Sequence, residues 1–166
     1  MKTWVISDIH FGHKNVHKFR TQFSSELEHR EHIIDQWNSK IKKGGDRIFV
    51  LGDAAFTLEG LDSIKRLTGK KYLIRGNHDT LPTNMYLAYF EEVYGIIKYK
   101  NTWLSHAPIH PDELRRLINV HGHTHFHSIQ QYNPITGTGS NNPRYINVCP
   151  ESIGYAPVLF EDLVEF

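Results

Sequence analysis

The chain has 166 residues, room for one ordinary domain, so a single unit spanning residues 1–166 is expected. Lys and Arg total 19 against 18 Asp and Glu, a formal charge of +1, which excludes a polyanion-coating protein and leaves nucleic acid open only as a substrate. No run approaches the roughly 18 apolar residues of a membrane span, the apolar N-terminal run is too short for a signal peptide, and the lone cysteine, Cys149, precludes an internal disulfide; no membrane partner and a cytoplasmic location are expected, with Cys149 buried.

Residues 2–7, aromatic and β-branched, read as a first strand ending in Asp8-Ile9-His10. Ser25 and Glu28 spell a capping box, and Leu27, Ile33, Ile34, Trp37 and Ile41 follow at helical spacing until Gly44-Gly45. His29 and His32 on that helix are expected to face solvent or pack at its edge. Residues 47–51 form a second apolar run, ending in Gly52-Asp53. Leu61, Ile64 and Leu67 mark a shorter helix closed by Gly69, and residues 72–74 a third strand ending in Arg75-Gly76-Asn77-His78-Asp79. This β-α-β-α-β rhythm predicts an α/β sheet.

Beyond Pro82, residues 83–90 are expected as a helix, with residues 93–99 and 102–105 as strands around Lys100-Asn101; His106 follows the second. Residues 111–117 read as a short helix with Pro111 in its first turn, and residues 118–120 as a brief strand before His121-Gly122-His123-Thr124-His125. Residues 134–143, rich in Asn, Ser and Gly, suit a surface loop between hairpin strands, and residues 145–148 and 157–160 supply late strands.

Five polar clusters thus follow predicted strands, and α/β sheets bind ligands outside the carboxyl ends of their strands. Twelve histidines direct attention to metal chemistry. Carboxylate, imidazole and amide donors without cysteine favour Zn, Mn, Fe or Ni. Seven candidate ligands, Asp8, His10, Asp53, Asn77, His106, His123 and His125, exceed one tetrahedral ion and suit two ions about 3.5–4 Å apart that share a carboxylate.

The ordered set Asp8-x-His10, Gly52-Asp53, Gly76-Asn77-His78-Asp79, His106 and Gly122-His123-x-His125 resembles the calcineurin-like metallophosphoesterase superfamily over residues 8–125. Single pieces arise by chance; Gly-Asn-His-Asp and Gly-His-Thr-His in this order are specific together. The resemblance implies the metallophosphoesterase fold, a central β-sandwich flanked by helices in α/β/β/α layers. It implies Asp8, His10, Asp53 and His125 around one divalent cation, and Asp53, Asn77, His106 and His123 around a second, with Asp53 bridging. Mn2+ is the first expectation, with Zn2+, Fe2+, Ni2+ and Mg2+ as alternatives. A metal-held water would attack a phosphomonoester or phosphodiester, and His78 would protonate the leaving alkoxide or hold the phosphate. The expected partner is a small phosphoester, nucleotides among the candidates. Two other readings are a non-catalytic metal-bearing scaffold and a nuclease, the latter needing Tyr132, Arg144 and Tyr145 to line a groove.

Protein phosphatases of this superfamily read Gly-Asp-x-x-Asp-Arg-Gly at the second motif and Gly-Asn-His-Glu at the third. Here Phe56 and Asp79 stand instead, so the chain is similar to the small bacterial or phage-type branch. Phe56 cannot orient His78 as a carboxylate would, which leaves Asp79 as a candidate partner. His13, Arg75 and His110 are candidate substrate contacts; His17, His121 and His127 are expected to be ordinary exposed or hydrogen-bonded side chains. Little chain remains after the core for a specificity cap, so an open site is expected.

Overall fold

Residues 1–164 are described by the structure, a computed structural model. Strand β1 (Thr3–Ile6) leads to helix α1 (Glu26–Lys40), β2 (Arg47–Val50), α2 (Leu58–Ser63), β3 (Lys70–Ile74), the one-turn α3 (Thr83–Tyr86) and β4 (Glu92–Tyr94). There follow β5 (Ile96–Tyr99), β6 (Thr102–Ser105), α4 (Pro111–Leu114), β7 (Ile118–His121), β8 (Gln130–Tyr132), β9 (Gly139–Asn141), β10 (Tyr145–Asn147), α5 (Pro150–Ile153), β11 (Val158–Leu159) and α6 (Phe160–Leu163). One sheet has the order β11-β1-β2-β3-β4, parallel except for β11. A second has the order β10-β7-β6-β5, with β5 antiparallel; β8 and β9 form a separate ribbon.

Strands that read as continuous apolar runs must be covered on both faces. Trp4, Ile6, Ile48, Val50 and Leu73 point to one side, where Ile33, Ile34, Trp37 and Ile41 of the α1 segment and Leu61 of α2 bury them. Val5, Phe49 and Ile74 point to the other and pack on Leu104 and Val120 of the second sheet, with Val148 and Phe160. The result is the expected α/β sandwich of two mixed sheets flanked by helices. Its outer layers are unequal: Lys98 and Trp103, on the far side of the second sheet, share a small pocket with the single turn of α4.

Several expected elements are corrected. Residues 93–99 are not one strand: the chain leaves the first sheet after Tyr94 and enters the second at Ile96, with Gly95 between. The helix expected at residues 83–90 stops at Tyr86, and that at residues 111–117 stops at Leu114 because Arg115 turns to φ 53°. α2 starts early, where the Thr57 hydroxyl accepts from Gly60 N, and tightens into a 3-10 turn at Ile64–Arg66. β9 lies inside the expected loop at residues 134–143. Residue 160, expected to end a strand, opens α6, and α5 was not anticipated, although Pro150 in its first turn and Gly154 at φ 73° are ordinary helix signals.

At the start of α1 the Ser25 hydroxyl accepts from Glu28 N, as a capping box requires, but the Glu28 carboxylate reaches Ser24 N instead of Ser25 N. The expected position of His29 is also corrected. It is fully buried, ringed by Phe23 at 5.1 Å, and its Nε2 accepts from Arg20 Nη1 at 2.8 Å. Burial foremost, then the Arg20 charge, lowers its pKa from 6.5 to about 2.

His29 is therefore neutral in the fold, whereas in the unfolded chain it gains a proton below pH 6.5. Its contribution to stability is intact above that pH and falls by about 1.4 kcal/mol per pH unit below it. His29→Gln keeps an acceptor for Arg20 and removes the titration. Urea unfolding at about pH 7.5 and about pH 5.5 should show a smaller acid loss in the variant than in wild type; equal losses would refute the assignment.

Candidate metal centre

The parallel strands end side by side, so each polar cluster emerges next to those of its neighbours. Asp8 and His10 follow β1, Asp53 follows β2, Asn77 and His78 follow β3, His106 follows β6, and His123 and His125 follow β7. Their donor atoms converge. Asp53 Oδ2 lies 3.6 Å from His10 Nε2 and 3.5 Å from His106 Nε2. On the His10 side, Asp8 Oδ1 is 3.4 Å from His10 Nε2 and 3.9 Å from His125 Nε2. On the other, His106 Nε2 is 2.9 Å from Asn77 Oδ1 and 3.1 Å from His123 Nδ1. All seven expected ligand positions thus fall in two clusters that meet at Asp53. Asp8, His10, Asp53 and His106 form a buried floor, while Asn77, His78 and His123 are exposed at the rim.

The local backbone explains the motif residues. Of eight non-glycine residues at positive φ among those described, five are Asp8, His10, Asp53, His123 and His125. Left-handed backbone is uncommon for residues with a Cβ and is held only where the surroundings over-determine it. Close approach fixes two of the glycines: a Cβ on Gly76 would strike the Asp53 carboxylate, and one on Gly122 the Asp8 carboxylate and the Ser7 hydroxyl. Asp79 does not contact His78 in the role left open for it. Its buried carboxylate accepts from Asp53 N and Gly76 N at 2.8 Å and from Ala54 N at 2.9 Å, pinning the end of β2 to the end of β3.

The donor set fits a pair of cations. Asp8 Oδ1 and His10 Nε2 are buried without a hydrogen-bond partner. His106 Nδ1 faces the Leu51 carbonyl at 2.8 Å, an acceptor only, so the proton sits on Nδ1 and leaves Nε2 as a lone pair facing the oxygen of Asn77. Burial by itself raises the Asp8 pKa, but the neighbouring His10, the more distant His106 and the His123 N–H outweigh it and hold the carboxyl well below the usual range. Asp53 is likewise lowered against burial, by His10, His106 and the N–H of His78. Ionised carboxylates and acceptor nitrogens crowded together are a donor set that divalent cations satisfy.

A supporting layer escaped the sequence. Glu151, at the start of α5, accepts from His125 Nδ1 at 3.1 Å and from Arg20 Nε at 2.8 Å. Burial alone would raise its pKa; His125 and Arg20 reverse that and hold it at about 2. Arg20 Nη2 also donates to the Asp8 carbonyl at 2.8 Å. Cys149, buried as expected, donates to Asp8 Oδ2 at 3.3 Å; burial and the Asp8 charge push its pKa up, so it stays a thiol. Glu151 lies just past the end of β10, where the strand-end rule applies again; nothing in the sequence marked Arg20.

Phe56 resolves how His78 is held. The two rings stack at 4.6 Å with 27° between planes, and His78 N donates to Asp53 Oδ1 at 2.8 Å. A cavity of about 630 Å³ opens beside the donors, lined by His10, His78, His123 and His125 together with His13 and, against expectation, His127. The other two candidate contacts lie elsewhere. Arg75 spends its guanidinium on the carbonyls of Asp79 and Leu81 and the hydroxyl of Thr83. His110 is exposed at the start of α4, where Nδ1 accepts from Asp112 N. His121 is buried, with Nδ1 on the Gly122 carbonyl.

The family model for calcineurin-like phosphoesterases matches residues 1–149. The chain is 29% identical over 176 residues to an uncharacterized protein of Methanocaldococcus jannaschii, covering 99% of this chain and 90% of that one. It is also 29% identical over 160 residues to the gene 66 protein of Mycobacterium phage L5, covering 74% and 77%. A solved protein of unknown function from Aquifex aeolicus has the same fold, with a TM-score of 0.70 at 24% identity over 98% of this chain and 97% of that one.

Two outcomes follow from this geometry. Asp79→Asn puts an amide donor against backbone N–H groups and should destabilise the chain by about 1–3 kcal/mol in urea unfolding; an unchanged midpoint would remove Asp79 from its pinning role. Glu151→Gln keeps the shape and removes the charge beside His125. Calorimetric titration with Mn2+ should then show affinity about 10- to 100-fold below wild type, and undiminished affinity would mean that Glu151 does not orient His125.

Proposed function

The chain belongs to the calcineurin-like phosphoesterase family, and from that premise we propose that it is a phosphoric ester hydrolase that uses two divalent cations, Mn2+ foremost. The observation that carries this reading is Asp53 Oδ2, set 3.5–3.6 Å from a histidine nitrogen of each donor cluster, as a shared carboxylate requires. Asp8, His10, Asp53 and His125 would hold one ion and Asp53, Asn77, His106 and His123 the other. When bound, such a pair supplies a water acidic enough to act near neutral pH and positive charge for the phosphoryl oxygens.

The protein's own groups do the rest. Asp53 is anchored by the His78 N–H on Oδ1, which leaves Oδ2 directed between the clusters. Asp8 is fixed on Oδ2 by His123 N at 2.9 Å and by the Cys149 thiol, which frees Oδ1 for the ligand side. His78 stands exposed at the cavity edge and is the group proposed to protonate the departing alkoxide or to hold the phosphate. Its stacking on Phe56 fixes the ring plane. The likeness to the phage protein supports the small bacterial and phage-type branch.

The test is hydrolysis of p-nitrophenyl phosphate and bis-p-nitrophenyl phosphate by Mn2+-loaded protein. Wild type should turn over at least one of them, and Asp53→Asn should lose on the order of 100-fold or more, because both clusters lose their shared charge. Their relative rates separate monoester from diester preference. A folded, Mn2+-loaded wild type inactive on both esters would sink the reading and favour a metal-bearing scaffold.

A further inference from the structure

Which group the phosphate carries is a separate question, and an answer to it rests on the phosphoesterase reading above. From the cavity rim inward the aromatic rings touch in series. Phe19 meets His13 at 6.0 Å edge to face, His13 meets Phe56 at 4.6 Å, and Phe56 stacks on His78 at 4.6 Å. Phe126, just after His125, lines the same cavity from a distant part of the chain. Phe19 is 68% exposed and Phe126 70% exposed, and neither belongs to a core cluster. Two exposed phenylalanines converging on one concavity beside metal-ligand candidates cost solubility without adding to the core, which is the mark of a recognition surface.

Charge narrows the ligand further. Among the residues that line the cavity there is no lysine and one arginine, Arg20. Its guanidinium is 2.8 Å from each of Glu151 Oε1, His29 Nε2 and the Asp8 carbonyl. A second phosphate, or the backbone of a nucleic-acid strand, would find no fixed counter-charge here. Ring faces, by contrast, recognise other ring faces beyond the area they bury.

We infer that the cavity is a subsite for a single planar aromatic group packed on Phe19, Phe126 and the His13–Phe56 wall, either the ring of an aryl phosphate ester or the base of a nucleoside whose ribose hydroxyl is esterified to the phosphate.

Phosphonates keep the anion and resist hydrolysis, so they report binding apart from turnover. Calorimetry on the Mn2+-loaded protein, at a pH where both ligands are dianions, would compare phenylphosphonate with cyclohexylphosphonate, nearly equal in size but differing in planarity. Wild type should prefer the planar ring by about five- to tenfold, and Phe19→Ala and Phe126→Ala should bring the ratio towards one. The methylenephosphonate analogue of adenosine monophosphate identifies the source: much tighter binding than phenylphosphonate means a nucleobase, equal binding a simple aryl ester. A ratio near one in wild type, or one unchanged in both variants, overturns the subsite. If wild type still hydrolyses the p-nitrophenyl esters, that failure leaves the hydrolase reading standing. Aromatic preference in a protein that hydrolyses neither ester keeps the subsite and removes the reading.

Discussion

Backbone N–H groups just past the ends of neighbouring parallel strands need acceptors that the ladder no longer provides. Asp79 supplies them for Asp53, Ala54 and Gly76 with one buried carboxylate, and the whole centre depends on this. It brings the turn after β2 against the turn after β3, so that Gly76 can lie on the Asp53 carboxylate with no Cβ in the way. Only then does the backbone at Asp53 stay left-handed and aim its side chain between the two histidine clusters. Burial raises the Asp79 pKa even against its hydrogen bonds from the backbone, which measures how much desolvation the arrangement carries.

The electrostatics are organised in hydrogen-bonded layers. Buried carboxylates Asp8 and Asp53 lie at the centre, imidazoles surround them, and Glu151 and Arg20 stand behind His125. The carboxylate behind His125 and the Leu51 carbonyl behind His106 each claim the outer ring nitrogen, so the inner nitrogen is left as an acceptor. His29 closes the pattern on the far side of Arg20 as a neutral group. A near-zero formal charge overall is therefore compatible with a strongly structured local field.

The motifs were legible because parallel strands deliver residues to a common edge, which makes order along the chain a proxy for proximity in space. Asp8, Asp53 and His106 could be grouped on that basis, whereas the two-sheet sandwich followed only from the family resemblance. What was hidden depends on side-chain direction. Arg75 sits one residue before the third motif yet turns away to carbonyls at residues 79 and 81. Asp79 looked like a partner for His78 by adjacency, whereas a tight turn sends the carboxylate back to the strand ends and leaves Phe56 to hold the ring. Arg20 and Glu151 are far apart in sequence and meet only through the packed fold, so no spacing rule could pair them. Helical periodicity assigns His29 only to a face of α1, and the Arg20 guanidinium is what lets a polar ring lie fully buried there.

The antiparallel pairing of β11 with β1 sets an order on assembly. During synthesis β1 is made first and the strand that covers its free edge is made last among the strands described, with Phe160 of the same segment plugging the space between the sheets. Until then β1, all four of whose residues are buried in the finished fold, has an open edge, a template for pairing between nascent chains. The vulnerable interval therefore lasts from the synthesis of β1 until the segment that carries β11 is free to pair with it.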